Sequence, residues 1–439
     1  TAGMSQKGEE DMTLSKLYAT MMNATALSVA IAGSVSAADL EFYFPVGVNA
    51  PAVETIQALT DEWATANPQH TVKAVYAGNY EDTTTKALTA ANAGQPPQVA
   101  VLLSIDLFTL IEEDVILPIS DIANTEEDKE WISGFYPGFM KDAQFEGKTY
   151  AIPFQRSTPV FYYNKDAFRE AGLDPEAPPK TWDEMIEVGK ALTVKDDSGN
   201  VKRWGTRIPT LGLGGAWLFG GLVVSKGDVL TTETGTEARM DTPATLASLE
   251  FLLRLAKEEV MAPGGITWGD TPKAFLEGQT ASMWTSTGNL AFVEKNAEFD
   301  WGVGFLPGGD GPGAPIGGGN FYIMQDTTDE ERAAALSFIK FMTSPKSAAK
   351  WSMATGYVAP RPDTWETPEM KAYTKRLPQA LVALDQLAYA EREFATFQRA
   401  KVTQYLVDAI ESVVTGNANP AEALSKAQKG ADKVLSDYK

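Results

Sequence analysis

The chain has 439 residues, carries a formal net charge of −21 at pH 7 and contains no cysteine. This length is too great for one ordinary hydrophobic core and fits two lobes or two to three domains. The negative charge disfavours nucleic acid and anionic membranes as partners, and the lack of cysteine excludes disulfides, thiol catalysis and cysteine-based metal sites.

Met12–Ala37 has the features of a secretory signal peptide. Lys16 supplies a positive start, Ala24–Val35 is apolar and rich in small residues, and Val35 and Ala37 fit the −3 and −1 positions of a cleavage site. The alternative is a buried N-terminal helix. We expect secretion and exclude residues 1–37, the signal peptide and the upstream residues, from the fold.

Strands and helices alternate at the start of the mature chain. Strands are predicted at Leu40–Phe44, Thr71–Tyr76 and Val99–Leu103, and helices at Val53–Ala64 and Tyr80–Ala93. This order implies right-handed crossovers and a parallel, doubly wound sheet. Because ligands bind at the carboxyl ends of such strands, the loops after these three strands are the first candidates for a binding site.

Capping residues and apolar runs predict the later elements. They are strands at Tyr150–Phe154, Val160–Tyr163 and Ala281–Trp284, a helix at Leu246–Lys257, and helices beginning after Thr181, Thr328, Ser344 and Asn419. Gln155–Pro159 is predicted to connect two strands. The glycine-rich stretch Leu213–Gly220 is predicted to be a loop.

Six short segments resemble a known family in the same order along the chain. The most specific are Tyr162–Asp166 and Pro178–Trp182, and the others are Gly78–Glu81, Trp301–Gly304, Ile316–Gly318 and Thr355–Tyr357. They resemble the extracellular solute-binding proteins of carbohydrate ABC importers, most of all the members that bind sn-glycerol 3-phosphate. The resemblance covers nearly the whole mature chain.

The resemblance implies an α/β fold of the two-lobe periplasmic-binding-protein type. Each lobe would be a doubly wound sheet with flanking helices, and hinge strands would join the lobes. The N-lobe would comprise residues 38–155 plus 286–350, and the C-lobe residues 156–285 plus 351–439. The chain would cross between the lobes near Gln155–Pro159 and near Thr285–Gly288.

The same resemblance implies five residues that line the cleft between the lobes: Tyr80, Ser157, Thr287, Gly318 and Tyr357. A polyol needs donors and acceptors for its hydroxyls and aromatic rings for its C–H faces. Ser157 and Thr287 have a second interpretation as turn or hinge residues. Trp217 is a further candidate for stacking on a ligand, ahead of Trp204 and Trp284, with a core role as the alternative.

The chain departs from the glycerol-3-phosphate-binding members in several places. Ser104 replaces an acidic residue after the third strand, and Asp106 follows two residues later. The C-terminal arginine of those members, a natural phosphate partner, has no clear match in the stretch that contains Gln398, Arg399 and Gln404. Arg156 and Arg361 stand where those members have other residues. Either guanidinium could bind a phosphate, sulfonate or carboxylate, or be an exposed charge. These departures favour a related polar ligand over simple glycerol 3-phosphate.

We expect a periplasmic solute-binding protein, without catalysis, that closes its lobes on a sugar, polyol or glycerol-3-phosphate-like ligand. Its partner would be an ABC permease in the inner membrane, and the protein would be a monomer without cofactor, metal or nucleic acid. The absence of a cysteine for a lipid anchor favours a Gram-negative periplasm. The single histidine, His70, is expected to be a solvated surface side chain.

Two other classes of function remain open from the sequence. One is a secreted carbohydrate-active enzyme, which needs two carboxyls roughly 5–10 Å apart across a cleft. The other is a secreted scaffold that binds a protein partner, which predicts an exposed apolar patch and no deep cleft.

Overall fold

Two α/β lobes make up the computed structural model, which describes residues 37–48 and 51–439. The predicted signal peptide up to Ser36 and the residues upstream lie outside the described residues. The strands are β1 Asp39–Phe44, β2 Thr71–Tyr76, β3 Val99–Leu103, β4 Gln144–Phe145, β5 Lys148–Thr149, β6 Ile152–Ser157, β7 Pro159–Asn164, β8 Val194–Lys195, β9 Val201–Arg203, β10 Ser282–Ser286, β11 Trp301–Gly304, β12 Ala314–Pro315, β13 Gly317–Ile323 and β14 Ala390–Glu391.

The helices surround and connect these strands. They are α1 Ala52–Ala66, α2 Tyr80–Asn92, α3 Leu107–Glu112, α4 Ile119–Ile122, α5 Glu126–Ser133, α6 Pro137–Met140, α7 Lys165–Glu170, α8 Trp182–Leu192, α9 Gly212–Val224, α10 Pro243–Lys257, α11 Thr271–Leu276, α12 Leu290–Asn296, α13 Asp329–Met342, α14 Pro345–Thr355, α15 Pro362–Trp365, α16 Pro368–Arg376, α17 Val382–Gln386, α18 Arg399–Val414 and α19 Pro420–Val434. Short 3₁₀ turns lie at Ser104–Asp106, Thr287–Asn289, Pro378–Leu381, Leu387–Tyr389 and Leu435–Tyr438.

The first lobe is built on a five-stranded sheet in the order β2-β1-β3-β13-β6. β1 pairs in parallel with β2 and β3, which confirms the parallel arrangement predicted from the alternation of strands and helices. β13 and β6 come from later in the chain and run antiparallel to their neighbours. Every residue of β3 is buried, which explains its uninterrupted apolar sequence.

The second lobe contains a three-stranded antiparallel sheet in the order β10-β7-β11. Its strands are antiparallel, whereas a doubly wound sheet, in which neighbouring strands are mostly parallel, was expected in each lobe. Only Thr158 separates β6 of the first sheet from β7 of the second, so most of the predicted connection Gln155–Pro159 is strand. A strand that continues through a buried junction keeps its backbone groups hydrogen-bonded, which an irregular loop would not.

The chain returns to the first sheet later than predicted. Strand β11, Trp301–Gly304, pairs with β7 of the second lobe, although the predicted partition assigns 286–350 to the first. Trp351 and Tyr357, assigned to the second lobe, pack into the hydrophobic core of the first. We therefore propose that the return crossing lies between Gly304 and Gly317.

The glycine-rich stretch Leu213–Gly220 lies within helix α9, so its prediction as a loop is wrong. A Cβ added at Gly214 would lie 2.8 Å from the Trp268 ring, and one at Gly215 would lie 2.4 Å from the Thr210 backbone. These glycines therefore allow close packing around a buried helix. A glycine-rich stretch predicts a turn when only the sequence is known. The residues that pack closely against these glycines are distant in the chain, so the sequence pattern does not show them.

The four helix starts predicted from capping residues are confirmed, whereas the helix predicted at Leu246–Lys257 begins three residues earlier, at Pro243. Thr181 and Thr328 each accept a hydrogen bond from the backbone N–H three residues later and complete a capping box. Ser344 and Asn419 cap the helices that begin at the following prolines. Capping depends on residues within one turn, which is why the sequence predicts it well.

His70 is half-buried and not the fully solvated side chain expected from the sequence. Its Nδ1 accepts a hydrogen bond from the Ala38 backbone N–H at 3.2 Å, and its ring stacks on Trp63 with centroids 5.8 Å apart. These contacts join the residue before β2 to the residue before β1 and to α1, at the edge of the first sheet.

A small hydrophobic cluster joins the lobes next to the carboxyl end of β3. It contains Leu103, Ile105, Phe108 and Ala395, and the ring centroids of Phe108 and Phe397 lie 5.1 Å apart. Beside it, Asp106 Oδ1 lies 2.5 Å from Arg399 Nε. The segment that precedes α18 therefore contacts the strand end at which ligands bind in open α/β sheets.

Candidate functional site

A cavity of about 360 Å³ lies between the two lobes and falls within the size range of small-molecule sites. The first lobe contributes Gly47, Val48, Asn79, Tyr80, Glu81 and Leu103, and the second contributes Leu211, Gly212, Leu213, Gly214, Trp217 and Trp268. Ser157, Ser286, Gly318, Tyr357 and Glu393 complete the lining at the junction. Five predicted site residues therefore border one cavity: Tyr80, Ser157, Trp217, Gly318 and Tyr357.

Tyr80 reaches the cavity from the first turn of α2, where the Asn79 side chain accepts from the Asp82 backbone N–H at 2.9 Å. The Tyr80 hydroxyl donates to Gln155 Oε1 at 2.7 Å and lies 3.3 Å from the Tyr357 hydroxyl. Burial raises the pKa of Tyr80 well above its usual value and that of Tyr357 to about 12. Both hydroxyls are therefore neutral near pH 7 and can donate or accept.

Tyr357 is fixed by the turn that ends α14. Gly356 has a left-handed φ of 100°, and a Cβ added there would lie 2.5 Å from the Thr287 carbonyl oxygen. The Tyr357 ring stacks on Trp351 with centroids 5.7 Å apart, and its carbonyl accepts from Ser352 Oγ at 2.6 Å. The hydroxyl is thus presented to the cavity by a rigid ring.

Gly318 and Ser157 belong to the paired strands β13 and β6 at the cavity floor. Gly318 pairs with Arg156 and has a φ of 99°, and a Cβ added there would lie 1.8 Å from the Gln155 carbonyl oxygen. No other residue fits this position without moving a strand. The floor is therefore formed by backbone atoms, with the Ser157 hydroxyl beside them.

Trp217 and Trp268 form an aromatic wall on the second lobe. Their ring centroids lie 5.7 Å apart at an interplanar angle of 63°, and Trp217 Nε1 donates to the Ile316 carbonyl at 3.4 Å. Gly317 permits this approach, since a Cβ there would lie 2.5 Å from the Trp217 ring. Neither Trp204, which borders another cavity, nor the fully buried Trp284 takes part in the wall.

Arg156 lies buried beneath the cavity floor and does not border the cavity. Its Nη1 donates to the Gly318 carbonyl at 3.3 Å and to Asn320 Oδ1 at 3.2 Å. Burial lowers the pKa of Arg156 from its usual value. These contacts tie Arg156 to β13, while its Nε and Nη2 have no hydrogen-bond partner among the described residues. The contact of Arg156 with an anionic ligand stays a prediction.

Arg361 also differs from its predicted place in the cleft. Its guanidinium lies over the Phe135 ring, pairs with Asp363 at 2.7 Å and donates to the Trp131 carbonyl at 2.8 Å. Arg361 lies only four residues after Tyr357, which is why it was expected in the cleft. The chain turns at Pro362 into α15, and the Arg361 side chain packs instead against Phe135 and Trp131 of the first lobe.

Three other predicted contacts lie outside the cavity lining. Thr287 Oγ1 donates to the Gly356 carbonyl at 2.9 Å, as its hinge interpretation expects. Asp106 pairs with Arg399 and accepts from Thr84 Oγ1 at 2.8 Å. Ser104 is fully buried in the turn after β3.

Glu393 borders the cavity and is not among the residues predicted from the sequence. Its side chain is 6% exposed, and its Oε2 has no hydrogen-bond partner among the described residues. Burial raises the pKa of Glu393 to about 8; the Asp142 carboxylate acts in the same direction, and Arg156 and Arg399 oppose it. Glu393 is therefore mostly protonated near pH 7 when the cavity is empty.

The sequence also missed Trp268. It lies in a loop with Gly264, Gly265 and Gly269, and an aromatic side chain in such a loop is a recognisable signal of a binding surface. Glu393 has no comparable signal, because one glutamate among 58 acidic residues carries no pattern that marks it.

Within residues 37–48 and 51–439, no group of three or more His, Cys, Asp or Glu side chains is arranged to hold a metal ion. Across the same part of the chain, no helix is both long enough and apolar enough to span a membrane. The groups that line the cavity are hydroxyl, amide, aromatic and carboxyl side chains together with glycine backbone and apolar side chains.

Two α/β lobes that line one cavity from both sides, with strands crossing between them, define a two-lobe solute-binding protein. The chain belongs to the bacterial extracellular solute-binding protein family, whose model matches residues 58–379. It is 28% identical to the sn-glycerol-3-phosphate-binding periplasmic protein UgpB of Pectobacterium atrosepticum, over 96% of this chain and 97% of that protein. It is also 28% identical to UgpB of Salmonella typhimurium, over 87% and 89% of the two chains.

Solved structures confirm the two-lobe fold. UgpB from Mycobacterium tuberculosis in complex with glycerophosphocholine superposes with a TM-score of 0.78 and 26% identity, over 91% of this chain and 98% of that one. The maltose/maltodextrin-binding domain MalE from Bdellovibrio bacteriovorus bound to maltotriose gives a TM-score of 0.77 at 19% identity, over 91% and 100%. The second likeness concerns the fold alone.

Proposed function

We propose that this protein is the secreted solute-binding component of an ABC importer. It binds a small sugar, polyol or glycerol-phosphate-like ligand between its lobes and releases it unchanged. The observation that carries this proposal is a single cavity with hydroxyl donors and acceptors on one side and the Trp217–Trp268 wall on the other. A ligand that touches both sides binds the closed form more tightly and shifts the population towards it.

The chemistry of the lining supports a polyhydroxylated ligand. Tyr80, Ser157 and Tyr357 offer hydroxyls, and Asn79 adds an amide at the start of α2. Each polar group buried without a hydrogen-bond partner would cost roughly 1–3 kcal/mol. These hydroxyl and amide groups therefore favour a ligand with several hydroxyls that can form hydrogen bonds with them. The names of similar proteins, which include glycerol-3-phosphate, glycerophosphocholine and maltotriose binders, support the same class.

A membrane permease is the partner that this function requires. Relatives are named periplasmic proteins, and the signal-peptide pattern of Met12–Ala37 supports export to the periplasm. A net charge of −21 disfavours nucleic acid as a competing partner. We further propose that the protein acts as a monomer, since the cavity is complete within one chain.

The enzyme alternative would have to use Glu81 and Glu393, the two carboxyls that border the cavity among the described residues. Family membership supports a binding role instead. The alternative makes a clear prediction, because an enzyme would convert maltotriose or a related glycoside into products on prolonged incubation. We expect complete recovery of the added compound by chromatography.

A thermal-shift screen of residues 38–439 tests the proposed function. The panel contains maltotriose, glucose, glycerol, sn-glycerol 3-phosphate and glycerophosphocholine. A ligand at about 100 times its Kd stabilises the folded protein by roughly 2.7 kcal/mol, which raises the Tm by a few degrees.

Tryptophan fluorescence provides a second measurement with the same compound. The compound should change the fluorescence of the wild type saturably and that of Trp268→Phe much less. The control variant Trp365→Phe should show the same ligand-induced change as the wild type. Absence of any stabilising compound in a wider panel of sugars and polyols would overturn the proposal.

A further inference from the structure

We infer that the second lobe carries a second binding site, outside the cleft, for a small oxyanion with an apolar body. Arg207 binds the anionic group, which is a carboxylate or a phosphate monoester, and the Trp204 ring packs against the body. Both residues lie outside the lining of the cavity between the lobes. The site is therefore separate from the one that holds the transported ligand.

A cavity of about 280 Å³ is the basis of this site. Its volume is close to the lower end of the range of small-molecule sites. Its lining contains Lys202, Trp204 and Arg207 together with apolar side chains, and no aspartate or glutamate. Lys202 is 66% exposed and lies 3.3 Å from Asp196, so Arg207 is the cation available to a ligand. In a chain with a net charge of −21, such a lining favours an anionic occupant.

The two cavities lie at opposite ends of strand β10. Thr280, just before the strand, borders the outer cavity, and Ser286, at its end, borders the cavity between the lobes. Six residues of extended chain span roughly 20 Å. A ligand in the outer cavity would therefore not touch a ligand held between the lobes.

Arg207 lacks the counterion that most arginines of this chain have. Arg156 and Arg207 are the arginines that form no ion pair in the described part of the chain. Arg207 Nε donates to Thr271 Oγ1 at 3.3 Å, and its two Nη atoms have no hydrogen-bond partner among the described residues. Asp270 is the carboxyl that faces Arg207, but it forms no ion pair with it and accepts from Thr267 Oγ1 at 2.6 Å. A planar guanidinium with free N–H groups fits a carboxylate or a phosphate bidentately.

The backbone holds Trp204 and Arg207 beside the start of β10. The Trp204 N–H donates to the Gln279 carbonyl at 3.0 Å, and the Arg207 N–H donates to the Ser282 carbonyl at 3.0 Å. Isolated bridges pair the same segment with Thr280 and with the strand. A site on hydrogen-bonded backbone of this kind keeps its side chains in place more precisely than a site on a loop.

Trp204 supplies the surface for the apolar body of the ligand. It is half-buried, borders the cavity and stacks on no other ring among the described residues. Ala262 and Ile266 add apolar surface to the same lining. Because an indole ring offers a large apolar area at little cost in conformational entropy, the site should distinguish a bare anion from one attached to an apolar group.

Isothermal titration calorimetry of residues 38–439 at pH 7 tests the site with simple probes. We expect phenyl phosphate or benzoate to bind saturably, and tenfold or more tightly than neutral benzamide, because the guanidinium requires an anion. Inorganic phosphate and acetate lack the ring and should bind at least fivefold more weakly than phenyl phosphate and benzoate respectively. Tighter binding of phenyl phosphate identifies a phosphate monoester as the ligand class, and tighter binding of benzoate identifies a carboxylate.

Two variants separate the contributions of the guanidinium and the ring. Arg207→Gln should weaken binding of the tighter ring-bearing anion by tenfold or more. Arg254→Gln is its matched control and should keep the wild-type affinity: Arg254 belongs to the same lobe, pairs with Asp183 at 2.5 Å and does not border the cavity. Trp204→Leu should reduce the advantage of the ring-bearing anion over the bare anion to less than twofold, which keeps the test decisive if Arg207→Gln does not fold.

The outer site and the cleft can be distinguished by the same measurements. Tyr80→Phe changes the cleft in the first lobe and should bind the ring-bearing anion as the wild type does. Arg207→Gln should bind the ligand found by the thermal-shift screen with wild-type affinity. The inference would be overturned by a lack of saturable binding of both ring-bearing anions, by equal binding of benzamide, or by unchanged affinity in a folded Arg207→Gln. Loss of anion binding in Tyr80→Phe would place the anion in the cleft and would also overturn it. None of these results would contradict the proposed transport function.

Discussion

The hydroxyl oxygens of Tyr80 and Tyr357 lie 3.3 Å apart, although the two residues are separated by 277 positions in the sequence. Tyr80 opens the second helix of the first lobe, and Tyr357 follows the helix that packs against the same core. Gln155 Oε1 accepts from Tyr80 at 2.7 Å, and its amide donates to the Pro45 carbonyl at 3.3 Å. This chain of hydrogen bonds presents two neutral hydroxyls to the cavity at one point.

The variant Tyr80→Phe should weaken ligand binding by about tenfold and lower the free energy of unfolding by roughly 1–3 kcal/mol. The stability loss follows because Gln155 Oε1 would remain buried without its donor. Calorimetry with the ligand found by the thermal-shift screen measures the first effect, and urea denaturation the second. Tyr76→Phe is the control, since Tyr76 is 52% exposed and outside the cavity lining, and it should change neither quantity. Unchanged affinity in Tyr80→Phe would remove this hydroxyl from the site.

The first three strands and most helix starts could be predicted from the sequence because their causes are local. β3 is continuously apolar, β1 and β2 are rich in apolar residues, and caps such as Thr181 act on the residue three positions later. Resemblance to the family added Tyr80, Ser157, Gly318 and Tyr357, which the structure brings together around one cavity. Their contacts with a ligand remain predictions.

The remaining features depend on contacts between distant parts of the chain. Gly214 and Gly215 lie in a helix whose close contacts with Trp268 and the Thr210 backbone leave no room for a Cβ, which no local pattern reveals. Strand β11 joins the second lobe through its pairing with β7. Glu393 became a candidate only when its burial and its place at the cavity were known.

The variant Gly318→Ala should lower the free energy of unfolding by about 3 kcal/mol or more and abolish ligand binding. The left-handed backbone costs an alanine roughly 1–2 kcal/mol, and the added Cβ would lie 1.8 Å from the Gln155 carbonyl oxygen, which forces the strands apart. Gly416→Ala is a matched control, because Gly416 also has a positive φ of 79° but has open space around its Cβ. The free energy of unfolding of Gly416→Ala should fall only by the roughly 1–2 kcal/mol that a left-handed backbone costs an alanine. Equal losses in the two variants, measured by denaturant unfolding, would show that the close approach has no consequence.

The ion pair between Asp106 and Arg399 should act as a contact that holds the lobes closed. Asp106 follows β3 of the first lobe, and Arg399 begins a helix that packs on the second, so the 2.5 Å contact spans the cleft. Removing one partner of a buried pair typically costs about 3–5 kcal/mol, in this case mainly in the closed form. Asp106→Asn should therefore speed ligand dissociation by tenfold or more and increase the radius of gyration of the ligand-free protein in X-ray scattering.

A ligand contact at Asp106 makes a different prediction from an interlobe contact. If Asp106 acts only through Arg399, the variants Asp106→Asn and Arg399→Gln should lose similar affinity, and the double variant should lose little more. Additive losses in this double-mutant cycle would contradict the interlobe role and support the direct ligand contact that the sequence suggested.

The ligand-free protein should lose stability as the pH rises from about 4.5 to about 8 because of Glu393. Its pKa is raised to about 8 by burial, so the folded state holds a proton that the unfolded state releases near its ordinary pKa. Since the unfolded state binds fewer protons over this interval, the free energy of unfolding falls with pH, by up to about 5 kcal/mol from this group. Glu393→Gln cannot ionise and should lack this component, so it should be more stable than the wild type at pH 8 and nearly equal to it at pH 4.5.

The neighbouring variant Glu391→Gln, which removes an exposed carboxyl, should follow the wild-type profile. Chemical denaturation at intervals of one pH unit measures all three proteins, and parallel curves for the wild type and Glu393→Gln would show that Glu393 does not titrate in this range.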